Sequence, residues 1–136
     1  MINCTLRSIG GDLSVSQFLI VDDDPVILHL MEDALSQAGF AFESALSGKI
    51  ALEKLKVQKF DLLVSDIIMP DVSGLDVINF ALAANPHLCI LAISGGGVDK
   101  NGRELLDLAL SAGADAVLEK PFSPDEFVRT VRALMC

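Results

Sequence analysis

Phe60-Asp61-Leu62-Leu63-Val64-Ser65-Asp66-Ile67-Ile68-Met69-Pro70 is a short apolar run that delivers one carboxylate and then halts at a proline. Leu62 to Val64, bounded by polar Asp61 and by the break at Met69-Pro70, has the length of a strand covered on both faces, as in a parallel sheet. Asp66 then sits at the carboxyl end of that strand. In open α/β sheets this end opens onto the ligand crevice, so a carboxylate there is placed for chemistry. An aspartate also serves as an ordinary turn or helix cap, and the stretch alone does not separate the two.

Upstream, Phe18 to Val21 reads as a first strand that ends in Asp22-Asp23-Asp24-Pro25, with proline suited to the first turn of a helix. That helix carries Ile27, Leu30, Met31, Ala34, Leu35 and Ala38 on one face and stops at Gly39. Phe40 to Ala45 is a second strand, and Ser47 caps a helix through Lys56 with Ala51, Leu52 and Leu55 inward. Downstream, Gly74 to Asn85 is helical, Cys89 to Ile93 a fourth strand, Gly102 to Ala112 a helix stopped by Gly113, and Ala116 to Leu118 a fifth strand. Ser123-Pro124-Asp125-Glu126 has the spacing of a capping box, and Phe127, Val128, Val131 and Leu134 continue the apolar face behind it. Five strand-then-helix units predict a parallel sheet covered by helices on both sides.

The length of 136 residues suits one domain with a real core. Residues 1–16, rich in Ser and Gly, read as a loose arm ahead of a domain over residues 17–136, with no output domain expected after the last helix. A hydrophobic fraction of 51% without any run near the roughly 18 residues that span a bilayer assigns the apolar excess to a buried sheet, so no membrane insertion is expected. The formal charge of −9 and the lack of a Lys/Arg cluster argue against direct nucleic-acid binding. Cys4, Cys89 and Cys136 show no ligand or disulfide spacing and read as free thiols of a reducing compartment. The opening residues lack a secretory signal, which leaves the cytoplasm as the expected location.

The predicted strand ends contribute Asp22 and Asp23, Asp66, Ser94 and Lys120 to one rim. Carboxylates gathered closely resist joint ionisation and call for a shared proton or a bound cation. Mg²⁺ takes oxygen ligands and keeps waters and a phosphoryl oxygen, so Asp23 and Asp66 are candidate direct ligands, Asp22 a water-mediated one and the backbone carbonyl of Ile68 another. With a phosphoryl group in such a site, Asp66 is the candidate nucleophile, Lys120 the neutralising ammonium and Ser94 a hydroxyl donor. The plainer alternatives are that Lys120 only pairs with Asp66, that Ser94 caps a strand and that Asp22 to Asp24 only start a helix.

Phe18-Leu19-Ile20-Val21-Asp22-Asp23-Asp24-Pro25, Leu62-Leu63-Val64-Ser65-Asp66-Ile67-Ile68-Met69-Pro70, Ile93-Ser94-Gly95 and Leu118-Glu119-Lys120-Pro121-Phe122 together resemble the receiver domain of two-component response regulators. The resemblance runs from about Gln17 to the C-terminus and includes Ser73-Gly74 and the small residues Ser111 to Ala116. It implies a flavodoxin-like (βα)5 fold with strand order 2-1-3-4-5. It also implies Mg²⁺-dependent phosphorylation of Asp66 by a phosphohistidine on a sensor histidine kinase or a histidine phosphotransfer protein, in a chain that is not a turnover enzyme. The implied switch draws the Ser94 hydroxyl inward and repacks the fourth helix, fifth strand and fifth helix for a downstream protein partner. The position where many relatives carry a switching aromatic is Val117, so the expected output moves through backbone at Gly95-Gly96-Gly97. Ile68 and Gly96 stand where relatives tune hydrolysis, and neither can hold a water by its side chain, which implies a long-lived acyl phosphate.

Two other classes fit parts of the pattern. A haloacid-dehalogenase-type phosphohydrolase also forms an aspartyl phosphate after a strand, but it needs a second Asp two residues on, where this chain has Ile68. A receiver-like interaction module that never meets phosphate would leave the acidic rim without a task. A Gly-rich phosphate loop at Gly95 to Gly97 lacks the Lys-Ser/Thr that should follow. His29 and His87 are expected at the surface, away from the carboxylates.

Overall fold

The structure, a computed structural model, describes residues 17–95 and 102–135. The arm expected at 1–16, Gly96 and Gly97, Cys4 and Cys136 lie outside them. Strands β1 (Gln17–Val21), β2 (Ala41–Ala45), β3 (Leu62–Asp66), β4 (Cys89–Ser94) and β5 (Ala116–Glu119) alternate with helices α1 (Pro25–Ala38), α2 (Gly48–Val57), α3 (Gly74–Ala84), α4 (Gly102–Ala112) and α5 (Pro124–Met135). All strand pairs are parallel and the order is β2-β1-β3-β4-β5. The flavodoxin-like architecture and the order expected from sequence are those observed.

Side-chain alternation along the strands divides the core into two layers. Phe18, Ile20, Leu62, Val64, Leu91 and Ile93 pack on one face under α1 and α5, with Leu28, Met31, Leu35, Phe127 and Val131. Leu19, Val21, Leu63, Ile90 and Ala92 pack on the other with Ala51, Val77, Ile78, Ala81 and Ala109 of α2, α3 and α4. All five residues of β3, the central strand, are buried, so its run has no polar alternation.

Local signals explain the ends of the elements. Asp24 caps α1 by accepting from the Val26 amide, and Gly39 ends it with φ of 85°, a left-handed conformation that costs glycine little. The capping box forms as its spacing predicts: Glu126 N–H donates to Ser123 Oγ at 3.1 Å and Ser123 N–H to Glu126 Oε1 at 3.2 Å. One expectation is corrected. The face of α1 turned to the sheet is centred on Leu28, Met31 and Leu35, while Ile27 and Leu30 are only partly buried. The stripe is rotated because α1 packs against both the sheet and α5, so Ile27 and Leu30 meet the edge of the contact rather than its middle.

Two aspartates at the opposite end of the sheet fasten strands by a device the periodicity did not reveal. Asp61 N–H donates to Gln17 O at 2.8 Å while its carboxylate accepts from Gln17 N–H at 2.9 Å. Asp115 treats Ile90 in the same way, at 2.9 and 2.8 Å. Each carboxylate stands in for the next residue of a ladder and satisfies an amide at the start of a buried strand.

Candidate functional site

The carboxyl ends of β1, β3, β4 and β5 converge on one rim. Val21, the last residue of β1, is followed by Asp22, which is fully buried, and by exposed Asp23. Asp66 closes β3 at 5% exposure, next to Ile93 of β4, and Ser94 is the following residue of that strand, 1% exposed. Lys120 lies one residue beyond β5, and its N–H donates to Ser94 O at 2.8 Å. The peptide that follows, Lys120–Pro121, is cis. The separation of Asp22, Asp66, Ser94 and Lys120 in sequence is thus closed by the sheet itself.

One carboxylate oxygen each from Asp22, Asp23 and Asp66 lies within 4.8 Å of the other two. The Lys120 ammonium enters from the side, 2.9 Å from Asp22 Oδ2 and 3.1 Å from Asp66 Oδ2. Its hydrogen bond goes to Asp66. Asp22 Oδ2 is buried and meets no hydrogen-bond geometry, so the ammonium faces it as an ion pair. The other oxygen of Asp22 accepts from Asp24 N–H at 2.9 Å, which turns Asp22 inward as the chain enters α1.

Electrostatics follow from this crowding. Burial and then the charge of Asp22 push the Asp66 carboxyl up to about 6, against the opposing pull of Lys120 and of the Ile68 amide that donates to it. Burial by itself would lower Lys120, but Asp22 and Asp66 outweigh it and hold the ammonium above its ordinary value. Three carboxylates and one ammonium leave an excess of two negative charges if all are ionised. A hard dication with oxygen ligands fits such a donor set, in which Asp22 Oδ2 is buried and ion-paired with Lys120 but accepts no hydrogen bond.

Gly74 lets α3 approach this site. A Cβ there would collide with the Asp66 carbonyl oxygen and stand 2.7 Å from Ile67 Cα, while the Gly74 amide donates to Ile67 O at 2.8 Å. The strand end bearing Asp66 is therefore packed directly on a helix start capped by Ser73. Ile68, two residues past Asp66, is 54% exposed beside the rim. Val117 lies on β5 opposite Ala92, partly buried against the α2–α4 face of the core. His29 and His87 are exposed, as expected, and neither joins the carboxylates.

The sheet order, the acidic rim and the lysine after β5 are the architecture of one family, and a family model for the response regulator receiver domain matches residues 18–132. The chain belongs to that family. Its sequence is 36% identical over 117 residues to the probable transcriptional regulatory protein TcrX of Mycobacterium tuberculosis, covering 86% of this chain and 48% of that protein. It is 32% identical over 114 residues to the chemotaxis protein CheY of Thermotoga maritima, covering 83% of this chain and 92% of that one. Among solved structures, a CheY-like receiver domain protein from Methanospirillum hungatei superimposes with a TM-score of 0.81 at 29% identity, covering 90% and 94% of the two chains. This chain spans about half the length of the transcriptional regulators it matches. It is a receiver domain of two-component signalling. Among the described residues, no helix of the receiver is long and apolar enough to cross a membrane.

Proposed function

We propose that the receiver accepts a phosphoryl group on Asp66 from a phosphohistidine of a sensor histidine kinase or histidine phosphotransfer protein, in a Mg²⁺-dependent reaction in the cytoplasm. The observation that carries this reading is the shared position of Lys120 Nζ, within 3.1 Å of both Asp22 and Asp66, beside a cluster of three carboxylates. In the reaction an Asp66 carboxylate oxygen forms the new O–P bond as the N–P bond of the donor breaks, and the departing imidazole nitrogen keeps the electron pair and takes up a proton. Asp22, Asp23, Asp66 and the Ile68 carbonyl would hold Mg²⁺, which supplies positive charge to the phosphoryl oxygens when bound.

The remaining tasks fall to side chains of the chain itself. Lys120, already poised between two carboxylates, turns its charge to a phosphoryl oxygen and leaves Asp22 to the metal. Ser94 at the end of β4 donates to another oxygen. Because the Lys120 amide is bonded to the Ser94 carbonyl, a movement of Ser94 is passed to β5 and so to the surface formed with α4 and α5. A downstream protein partner reads that surface. The half-exposed aliphatic side chain of Ile68 can neither orient a water nor act as acid or base, which favours a slowly hydrolysed acyl phosphate over turnover of phosphate esters.

The test is intact mass after incubation with acetyl phosphate or phosphoramidate, with and without Mg²⁺, on wild type and Asp66→Asn. A gain of one phosphoryl group that requires Mg²⁺ and is absent from the variant is the expected result. No gain from these donors or from a phosphohistidine protein would leave the receiver-like module that acts without phosphate.

A further inference from the structure

The first amides of α2 are held largely by a side chain from the loop that follows Asp66. Gly48 N–H donates to Asp71 Oδ1 at 3.3 Å and Lys49 N–H to Asp71 Oδ2 at 2.9 Å. Ser47 Oγ takes the Ile50 amide at 3.1 Å, and Ala51 N–H begins the intrahelical series on Ser47 O. Ser47 is thus the N-cap, but its side chain takes the Ile50 amide alone, and the Gly48 and Lys49 amides before it are left to Asp71. Asp71 reaches across from another segment, and its two bonds join loop to helix.

The junction is tight. A Cβ on Gly48 would stand 2.7 Å from the Val72 Cβ and 2.8 Å from the Val72 carbonyl oxygen, so glycine is what allows the loop to seat. The amides of Lys49, Val72 and Gly48 hold the Asp71 carboxyl below the usual carboxylate range, as expected for an anion on a helix N-terminus. The loop is also fixed at both ends. Ile67 N–H donates to Ile93 O at 2.9 Å, and Ile67 O accepts from Gly74 N–H. Between these ends run Ile68, Met69 and Pro70, and Asp71 joins this span to α2.

We infer that Asp71 is a positioning residue for the metal site: seating the β3–α3 loop on the N-terminus of α2 fixes the Ile68 carbonyl relative to the carboxylates of Asp22, Asp23 and Asp66. The inference rests on the reading of that carbonyl as a Mg²⁺ ligand. A carbonyl held in place before the metal arrives is ordered at no cost on binding, whereas one on a released loop must be ordered each time.

Four proteins test it: wild type, Asp71→Ala, Asp71→Asn and, as a control that weakens the same helix without freeing the loop, Ser47→Ala. The chain has no Trp or Tyr to report binding, so Mg²⁺ is titrated into the phosphate-free protein while the Ile68 and Asp23 amides are followed by NMR. The Mg²⁺ concentration for half-maximal phosphorylation by acetyl phosphate is measured beside it. Asp71→Ala should raise both midpoints about tenfold, the low end for loss of a contact that orients a ligand, with the rate at saturating Mg²⁺ preserved. Asp71→Asn keeps oxygen and loses charge, so it should fall between, and it serves if the alanine variant fails to fold. Ser47→Ala should lower the melting temperature and leave both midpoints unchanged. An unchanged midpoint in Asp71→Ala and Asp71→Asn, or an equal shift in Ser47→Ala, overturns the inference alone. Wild type that binds no Mg²⁺ overturns it together with the reading beneath it.

Discussion

Lys120 Nζ lies 3.1 Å from Asp66 Oδ2, and the same nitrogen reaches Asp22 Oδ2 at 2.9 Å, so one ammonium serves two buried carboxylates. Lysine and a divalent cation therefore compete for the same negative charge. Lys120→Met should bind Mg²⁺ more tightly than wild type and yet be phosphorylated more slowly, because the group that would neutralise the phosphoryl oxygens is gone. Without metal the variant should lose on the order of 2 kcal/mol, less than a sealed pair loses, since Asp66 can take up a proton instead. Mg²⁺ titration, urea unfolding and intact mass measure the three effects. Weaker Mg²⁺ binding in the variant would show that Lys120 organises the carboxylates and does not compete for them.

The raised Asp66 carboxyl has a signed consequence for stability. Its value is about 6 in the folded protein against an ordinary 3.8, with burial the main cause, so the native state binds this proton more tightly than the unfolded chain. The contribution is fully present below 3.8, falls as pH rises toward about 6 and is constant above, a loss on the order of 3 kcal/mol. Asp66→Asn removes it. The variant should exceed wild type in urea midpoint at pH 7 by a margin that shrinks as the pH is lowered through this window. Mg²⁺ added at pH 7 should narrow the margin by stabilising wild type. A margin independent of pH would mean that Asp66 ionises without hindrance in the fold.

Much of this could be read from the chain, for identifiable reasons. A buried parallel strand has no polar alternation, so Leu62 to Val64 announced itself, and each polar residue directly after such a run had to lie on the rim. The capping box at Ser123 and Glu126 is local and was equally legible. Leu28 was left off the inner face of α1 because that face depends on where α5 packs, which periodicity does not contain. Asp61, Asp71 and Asp115 were invisible as structural residues because their partners, Gln17, Gly48, Lys49 and Ile90, are distant backbone amides. A signal existed only in position: Asp61 and Asp115 each stand just before a strand that neighbours the one they fasten. The shared lysine geometry needs the sheet order, and that came from the family resemblance.

Gly74 is a packing requirement of the site. Alanine at this position would drive a methyl group into the Asp66 carbonyl, a backbone atom that cannot turn aside. Gly74→Ala should therefore cost about 3 kcal/mol or more, at or above the upper range for overpacking, although alanine is the better helix former. A sharper expectation concerns chemistry: because the end of β3 must shift, phosphorylation should fall even in the folded fraction. Urea unfolding followed by phosphorylation well below the midpoint separates the two. A variant as stable as wild type would mean that α3 backs away without disturbing Asp66.

Ser94 is joined to β5 and the residue after it through backbone, since its carbonyl holds the Lys120 amide at 2.8 Å and its strand pairs with β5 at Glu119. Val117, aliphatic and partly buried beside Ala92, has no ring to turn inward, so the proposed switch cannot use an aromatic rotation at this position. Ser94→Ala should still accept phosphate on Asp66, more slowly by the loss of one hydroxyl donor. It should fail to transmit the change. Hydrogen exchange of peptides spanning residues 94–119, compared before and after phosphorylation, should differ in wild type and remain alike in Ser94→Ala. If the variant responds as wild type does, the phosphoryl group acts on β5 through Lys120 instead, the other side chain proposed to touch it on that side of the sheet.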